Sequence, residues 1–486
     1  MIKPLVLVMA LASSWPGATR AAVPVAPNAT AVVRASEASP RPPEPIRMSV
    51  GRFGDVTVYR PVGTPKSVVL FLSGDGGWHL GVVSMARALV GEGAIVAGLN
   101  VRNYRAALGR ASSGCVSLAG DFEALSHRLQ KEVGVRDYLL PVLVGYSSGA
   151  TIVYATLAQS PPGTFAGALS LGFCPDEDMK GAPLCPAPSL EYKKNQRGDF
   201  VFAPAPRLQD GWIALQGQQD QVCDPRRVDE FAAATGQAEV VRLPLVGHGF
   251  GVERNWLPQF IEAFHKLAAR AEPKIVESPA VRDLPLTEVA AAAVSDPGTP
   301  GDRLALLLTG DGGWAGLDQE VSAQLAARGV PVVGFNTLKY FWRARTPEES
   351  ATDVARVLRH YLDAWNKDQV IVVGYSFGAD VLPFILNRIP TELRARIIGL
   401  NLIAVSESAT FEVHVADWLP GVSSRGLPVA PELARLRDIP TSCFYGEGEK
   451  DALCPTLDGV RAIQVGHGHH LGGRYEEIVD RILAGH

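Results

Sequence analysis

Two short stretches of this chain place a serine where it could act as a nucleophile. In Val370-Ile371-Val372-Val373-Gly374-Tyr375-Ser376-Phe377-Gly378-Ala379-Asp380 an apolar, β-branched run breaks into Gly-x-Ser-x-Gly and then into an apolar helical pattern. That reads as strand, sharp turn and helix, the setting in which this motif holds a serine hydroxyl out at the carboxyl end of a sheet. The two glycines leave room for a strained turn. Pro141-Val142-Leu143-Val144-Gly145-Tyr146-Ser147-Ser148-Gly149-Ala150 has the same form.

A serine hydroxyl is a weak nucleophile at neutral pH and needs a base, and the base needs an orienting acid. Further landmarks recur in both halves in the same order. Ser73-Gly74-Asp75-Gly76-Gly77-Trp78 matches Thr309-Gly310-Asp311-Gly312-Gly313-Trp314. Gly217 with Asp220, Cys223 and Pro225 matches Gly446 with Asp451, Cys454 and Pro455, and Val246-Gly247-His248-Gly249 matches Val465-Gly466-His467-Gly468. The expected catalytic set is therefore Ser376, Asp451 and His467, with Ser147, Asp220 and His248 as a second possible triad. His469 and His470 compete with His467, which is preferred because it alone aligns with His248. Glu447 and Glu449 compete with Asp451, which copies the spacing of Asp220 to Cys223; Asp224 is a rival in the first half. The Gly-Asp-Gly-Gly-Trp loops, with Gly310 and Asp311 in the second half, are expected to supply one backbone N–H to an oxyanion hole. The residue after the serine, Phe377 or Ser148, would supply the other. A tight turn that only permits packing is the plainer reading of those loops.

The chain order Ser, Asp, His is that of α/β-hydrolases. Strands expected near 68–72, 94–99, 141–146, 165–171, 211–216 and 239–243 alternate with helical periodicity, and the second half repeats the pattern at 304–308, 330–335, 370–375, 397–404, 442–445 and 459–465. Alternation of this kind implies a mostly parallel sheet covered by helices on both faces. The fold class expected is thus α/β, with two tandem α/β-hydrolase-like domains at 46–270 and 301–486, joined by a linker at 271–300. Leu338-Lys339-Tyr340-Phe341-Trp342 is either an apolar binding mouth or core.

The chain has 486 residues, 47% of them hydrophobic and 20% charged, the composition of a globular protein of two or three domains. A lysine followed by a short apolar run and small residues makes 1–22 a secretory signal peptide by pattern, and 23–45, rich in Ala, Pro and Ser, a spacer. Loss of Lys3 and Arg20 with that segment takes the formal charge from −4 to −6. An acidic protein is a poor partner for nucleic acid or for an anionic membrane. Six cysteines in an exported chain suggest disulfides. Cys443 and Cys454 bracket a short loop; Cys115, Cys174, Cys185 and Cys223 leave their connectivity open. No C-x2-C spacing occurs, so a zinc site is not expected; the reading calls for no metal and no cofactor.

The stretches 309–314, 338–342 with Arg345-Thr346-Pro347-Glu348, and 374–380 together resemble the VirJ/AcvB family of exported bacterial virulence proteins. The resemblance implies a periplasmic serine hydrolase that removes the lysyl group from lysyl-phosphatidylglycerol, with Ser376 as the nucleophile and aminoacylated phospholipid at the membrane surface as the partner. It also implies a link to type IV secretion components, so a binding or chaperone module that keeps the fold without using it is the competing reading, and an esterase of an unrelated soluble substrate a third. A lysyl substrate is doubly cationic, and Asp311, Asp380, Glu407 and Glu447 are the acids that could favour it.

Overall fold

The computed structural model describes residues 42–111, 114–271, 276–292, 301–414, 426–449 and 452–485. The expected signal peptide, most of the spacer and Asp451 lie outside them. Fifteen strands build two sheets: β1 (Ile46–Val50), β2 (Gly54–Tyr59), β3 (Ser67–Leu72), β4 (Ala94–Leu99), β5 (Pro141–Tyr146), β6 (Gly167–Leu171), β7 (Trp212–Gly217) and β8 (Ala238–Leu243) in the first, and β9 (Leu286–Val289), β10 (Arg303–Leu308), β11 (Val332–Phe335), β12 (Gln369–Tyr375), β13 (Ile397–Ile403), β14 (Thr441–Glu447) and β15 (Arg461–His467) in the second. Their spatial orders are β1-β2-β4-β3-β5-β6-β7-β8 and β9-β11-β10-β12-β13-β14-β15. Apart from β1 the two orders are the same, so the duplication read from motifs is a duplication of topology.

The central strands are parallel and read as unbroken apolar runs because both faces are covered. Val68 to Leu72 and Leu304 to Leu308 are all essentially inaccessible to solvent. Three strands of these two sheets went unpredicted: β1, β2 and β9. Each pairs antiparallel near a sheet edge, where alternation with polar residues hides the apolar signal. The stretch expected as a linker therefore holds β9, with Val281, Leu284 and Leu286 buried against the second sheet.

The tryptophans that end the two Gly-Asp-Gly-Gly-Trp loops have a packing role. A Cβ on Gly98 would lie 2.2 Å from the Trp78 ring, and one on Gly334 would lie 1.9 Å from the Trp314 ring. Each indole thus sits flat on a glycine in the neighbouring strand, fixing the loop against the sheet.

From Pro42 onward the described residues form one compact unit that contains both sheets. Trp342 joins the halves. Its Nε1 donates to the Val135 carbonyl at 2.9 Å, and its ring lies 5.0 Å from that of Tyr138. Lys131 donates to the Trp342 carbonyl and pairs with Glu412 at 2.9 Å. Tyr340, Phe341 and Trp342 are all buried, which resolves that stretch as core and interface rather than a binding mouth.

Three disulfides close Cys115–Cys185, Cys174–Cys223 and Cys443–Cys454, which suits an oxidising compartment outside the cytoplasm. Replacing Trp342 with alanine removes a buried indole at the junction of the halves. It should cost about 3–5 kcal/mol, measured by urea denaturation, and a loss under 1 kcal/mol would mean that the halves do not depend on this contact.

Candidate active site

Both serines sit in the turn between a central strand and a buried helix, and both have backbone angles that side chains rarely adopt: φ 54° and ψ −123° at Ser147, φ 49° and ψ −118° at Ser376. Such a conformation costs about 1–3 kcal/mol and persists only where its surroundings enforce it. Here the serine N–H groups donate to the next strand, Ser147 to Leu171 O at 2.9 Å and Ser376 to Ile403 O at 2.8 Å. The motif glycines let the helix approach the sheet. A Cβ on Gly378 would fall 2.3 Å from Leu308 O, and one on Gly149 would fall 2.2 Å from Leu72 O.

In the second half the imidazole beside Ser376 is that of His469, not that of His467. His469 Nε2 lies 2.8 Å from Ser376 Oγ, and its Nδ1 lies 2.6 Å from Glu449 Oε1. Glu449 in turn accepts from the Gly446 N–H at 3.1 Å. The imidazole is thereby fixed with Nδ1–H donating to the carboxylate and Nε2 free to accept the serine proton. His467 ends β15 opposite Glu447 and packs beside Gly472. His470 takes the Tyr375 hydroxyl at 2.8 Å. The sequence reading placed His467 there by motif; the second-half strand extends to His467, and the imidazole that meets Ser376 stands two residues later. The acid was legible by a different ruler: Glu449 stands three residues after Gly446, as Asp220 stands three after Gly217.

The first half brings Ser147, His248 and Asp220 together. Ser147 Oγ is 2.9 Å from His248 Nε2, and His248 Nδ1 is 2.9 Å from Asp220 Oδ2. Asp220 is buried and also accepts from the N–H groups of Val222 and Cys223. Its rival Asp224 instead caps the helix Pro225–Ala233. Asp220, Cys223 and His248 lie close enough to hold a metal ion, but the Cys223 sulfur is bonded to Cys174 and the other two groups bond one another.

The loop glycines bring the would-be oxyanion donors beside each serine. A Cβ on Gly310 would lie 3.0 Å from the Tyr375 ring and 3.6 Å from Ser376 Cβ, and one on Gly74 would lie 2.9 Å from Ser147 Cβ. Phe377 opens the helix Phe377–Leu386, so its N–H has no intrahelical partner and is available to a developing oxyanion. The Phe377 ring packs on Phe341 at 5.2 Å, and Phe341 packs on Phe411 at 5.7 Å.

Carboxylates crowd the Ser376 site. Burial pushes Asp380 up to about 7, although it accepts the Ser406 N–H at 2.7 Å; the Asp311 charge adds to the rise. Glu123 belongs to the first half, on the helix Leu118–Glu132, and no sequence pattern pointed to it. A Cβ on Gly312 would lie 3.5 Å from Glu123 Oε1, and burial, then the charge of Asp311, raises its carboxyl to about 8. Glu407 and Glu447 stand exposed and do not join this group. Burial works against protonating His469, but its hydrogen bond to Glu449 and the charges of Glu449, Asp311 and Asp380 outweigh it and raise its pKa.

These groups can carry out acyl transfer: a hydroxyl within reach of an oriented base, and an N–H poised for the oxyanion. Alanine at His469 should lower ester turnover by at least about 10³-fold, whereas alanine at His467 should leave kcat within about threefold. Because the base must be neutral, turnover should fall on acidification through a pKa above the ordinary imidazole value. Asp311→Asn removes a charge that raises this pKa, so it should move the acid limb to lower pH; a limb that stays put or moves up would contradict the electrostatic reading.

No curated protein sequence matches the chain. Among solved structures it is similar to an α/β serine hydrolase without a lid from Xanthomonas campestris, at 21% identity over 47% of this chain and 94% of that one, with a TM-score of 0.29. It is also similar to an α/β serine hydrolase homologue from Coxiella burnetii (20% identity, 47% and 97% covered, TM-score 0.30) and to an esterase domain from Rhodothermus marinus (14%, 46% and 98%, TM-score 0.31). The family described as bacterial virulence protein (VirJ) matches residues 66–167 and 302–486, more than half of the chain. The chain therefore belongs to the VirJ family.

Proposed function

We propose that the protein is a periplasmic serine esterase that hydrolyses the aminoacyl ester of lysyl-phosphatidylglycerol at Ser376. The observation that carries the reading is the hydrogen-bonded series Ser376–His469–Glu449 set among carboxylates. Ser376 Oγ attacks the ester carbonyl and passes its proton to His469 Nε2. The Phe377 N–H and the Gly310–Asp311 loop hold the oxyanion. His469 then protonates the departing glycerol oxygen. Water, activated by the same base, releases lysine and restores the serine.

The acids support a cationic acyl group. Glu123 and Asp380 have pKa values raised by burial, so each holds its proton more tightly than a free carboxyl does. An ammonium group placed among them would favour their ionised forms and offset the repulsion with Asp311. The lipid's two ammonium groups outnumber its single phosphate, so an acidic protein surface does not repel it. The three disulfides and the family match support a location outside the cytoplasm.

Purified protein should release lysine from lysyl-phosphatidylglycerol in mixed micelles, and Ser376→Ala should abolish release. Full activity in that variant would move the nucleophile elsewhere. Glu123→Gln combined with Asp311→Asn should lower kcat/KM for the lysyl lipid by about tenfold or more relative to a neutral ester. An equal loss on both esters would remove the acids from substrate selection.

A further inference from the structure

We infer that the first half is a second, separately competent acyl-ester hydrolase centre, with Ser147 as nucleophile, and that it takes an uncharged acyl group rather than a cationic one. Its machinery is complete. The serine carries the strained backbone of an activated nucleophile, and both hydrogen bonds of the Ser147–His248–Asp220 series are formed. Asp220 is held by two backbone N–H groups, and the Cys174–Cys223 disulfide ties the Asp220 turn to the loop after β6. In that loop Gly172, at φ +63°, passes the imidazole so closely that a Cβ there would lie 3.2 Å from His248 Nδ1. Among the described residues the Ser148 N–H, first in its helix, donates to no group, which leaves it for an oxyanion.

The step balances with water alone. Ser147 Oγ bonds to the ester carbonyl carbon as its proton moves to His248 Nε2. The C–O bond to the alcohol breaks, and the alcohol leaves with that proton. Water adds to the acyl-enzyme, giving its proton to His248; the bond to Ser147 breaks, the acid departs and the serine regains its proton.

The charge surroundings differ from those at Ser376 at aligned positions. Asn100 and Asn336 cap equivalent helices, and the fifth residue after each is Arg105 in the first half and Phe341 in the second. The residue after the nucleophile is Ser148 in one and Phe377 in the other. Arg105 bridges Asp75 Oδ1 at 2.5 Å and Glu177 Oε1 at 2.7 Å, and Ser148 Oγ donates to Asp75 Oδ1 at 3.0 Å. Thus Asp75, the counterpart of Asp311, shares the Arg105 guanidinium with Glu177, whose carboxyl burial pushes up to about 7, and Thr151 stands where the second half has Asp380. A site whose carboxylates already hold a cation gains little from a cationic substrate. Beside it, a cavity of about 320 Å³ borders the Gly74–Gly77 loop and Gly249, next to His248; Val82, Met85, Phe250 and Trp256 form its apolar side, and His79, Tyr146 and Glu253 also line it. The side formed by Val82, Met85, Phe250 and Trp256 suits a short acyl chain.

The assignment does not require that Ser376 be active, and the test separates the two. Full-length Ser376→Ala protein is treated with a fluorophosphonate probe and digested, and its turnover of p-nitrophenyl caproate and p-nitrophenyl ε-aminocaproate is compared. The expected result is a labelled peptide containing Ser147, retained caproate turnover, and no more than about threefold preference for the amino ester. Adding Ser147→Ala should abolish both label and turnover, and adding Asp220→Asn should lower turnover by about 10³–10⁴-fold, with thermal melting confirming that each variant folds. Absence of label and turnover in Ser376→Ala overturns the second centre, whatever happens to lysine release. A tenfold preference for the amino ester overturns the substrate class.

Discussion

Everything functional in this chain depends on holding a serine in a left-handed backbone conformation at the carboxyl edge of a sheet. The conformation is unfavourable in isolation. It is enforced from one side by a hydrogen bond to the adjacent strand and from the other by a helix that comes close because its glycines have no side chains. Filling either glycine would drive a Cβ into a carbonyl of β3 or β10. The parallel sheet, buried on both faces, is what makes that edge rigid, and the loops carrying acid and base leave the same edge from strands farther along the order.

The same topology is used twice, but the two edges are furnished differently. Beside Ser376 the Phe377 ring packs onto the buried Phe341, which packs on Phe411, and carboxylates gather nearby. Around Ser147 an arginine ties the equivalent acid into a polar network. The helix Leu118–Glu132 links the two halves: near its middle Glu123 reaches the second-half loop, while Lys131 at its end helps to seat Trp342. The first half therefore reaches the Gly310–Trp314 loop that borders Ser376.

Much of this was legible in the residues. The central strands declare themselves as apolar runs, and the doubled Gly-x-Ser-x-Gly motif locates both serines. Misreadings arose where local pattern and tertiary placement part. His467 copies the Gly-His-Gly of the first half, yet the strand extends to it, so the imidazole within reach of Ser376 is that of His469. Asp451, chosen by spacing to a cysteine, lies outside the described residues; spacing to Gly446 points instead to Glu449, which bonds His469. β9 lies in a stretch whose Pro and Ala content reads as linker, because an edge strand has few apolar residues to show. Glu123 was invisible in principle: nothing on a helix of one half announces that it faces a loop nearly two hundred residues away.

The measurement that bears most directly on the central claim is the pH dependence of the rate at which an organophosphonate fluoride modifies Ser376, followed by mass spectrometry. If Ser376 is activated by His469 under the influence of Glu449, the rate rises with deprotonation of a group whose pKa is above the ordinary imidazole value, and His469→Gln removes that dependence along with most of the rate. A Ser376 modification rate that is indifferent to His469 would contradict the account.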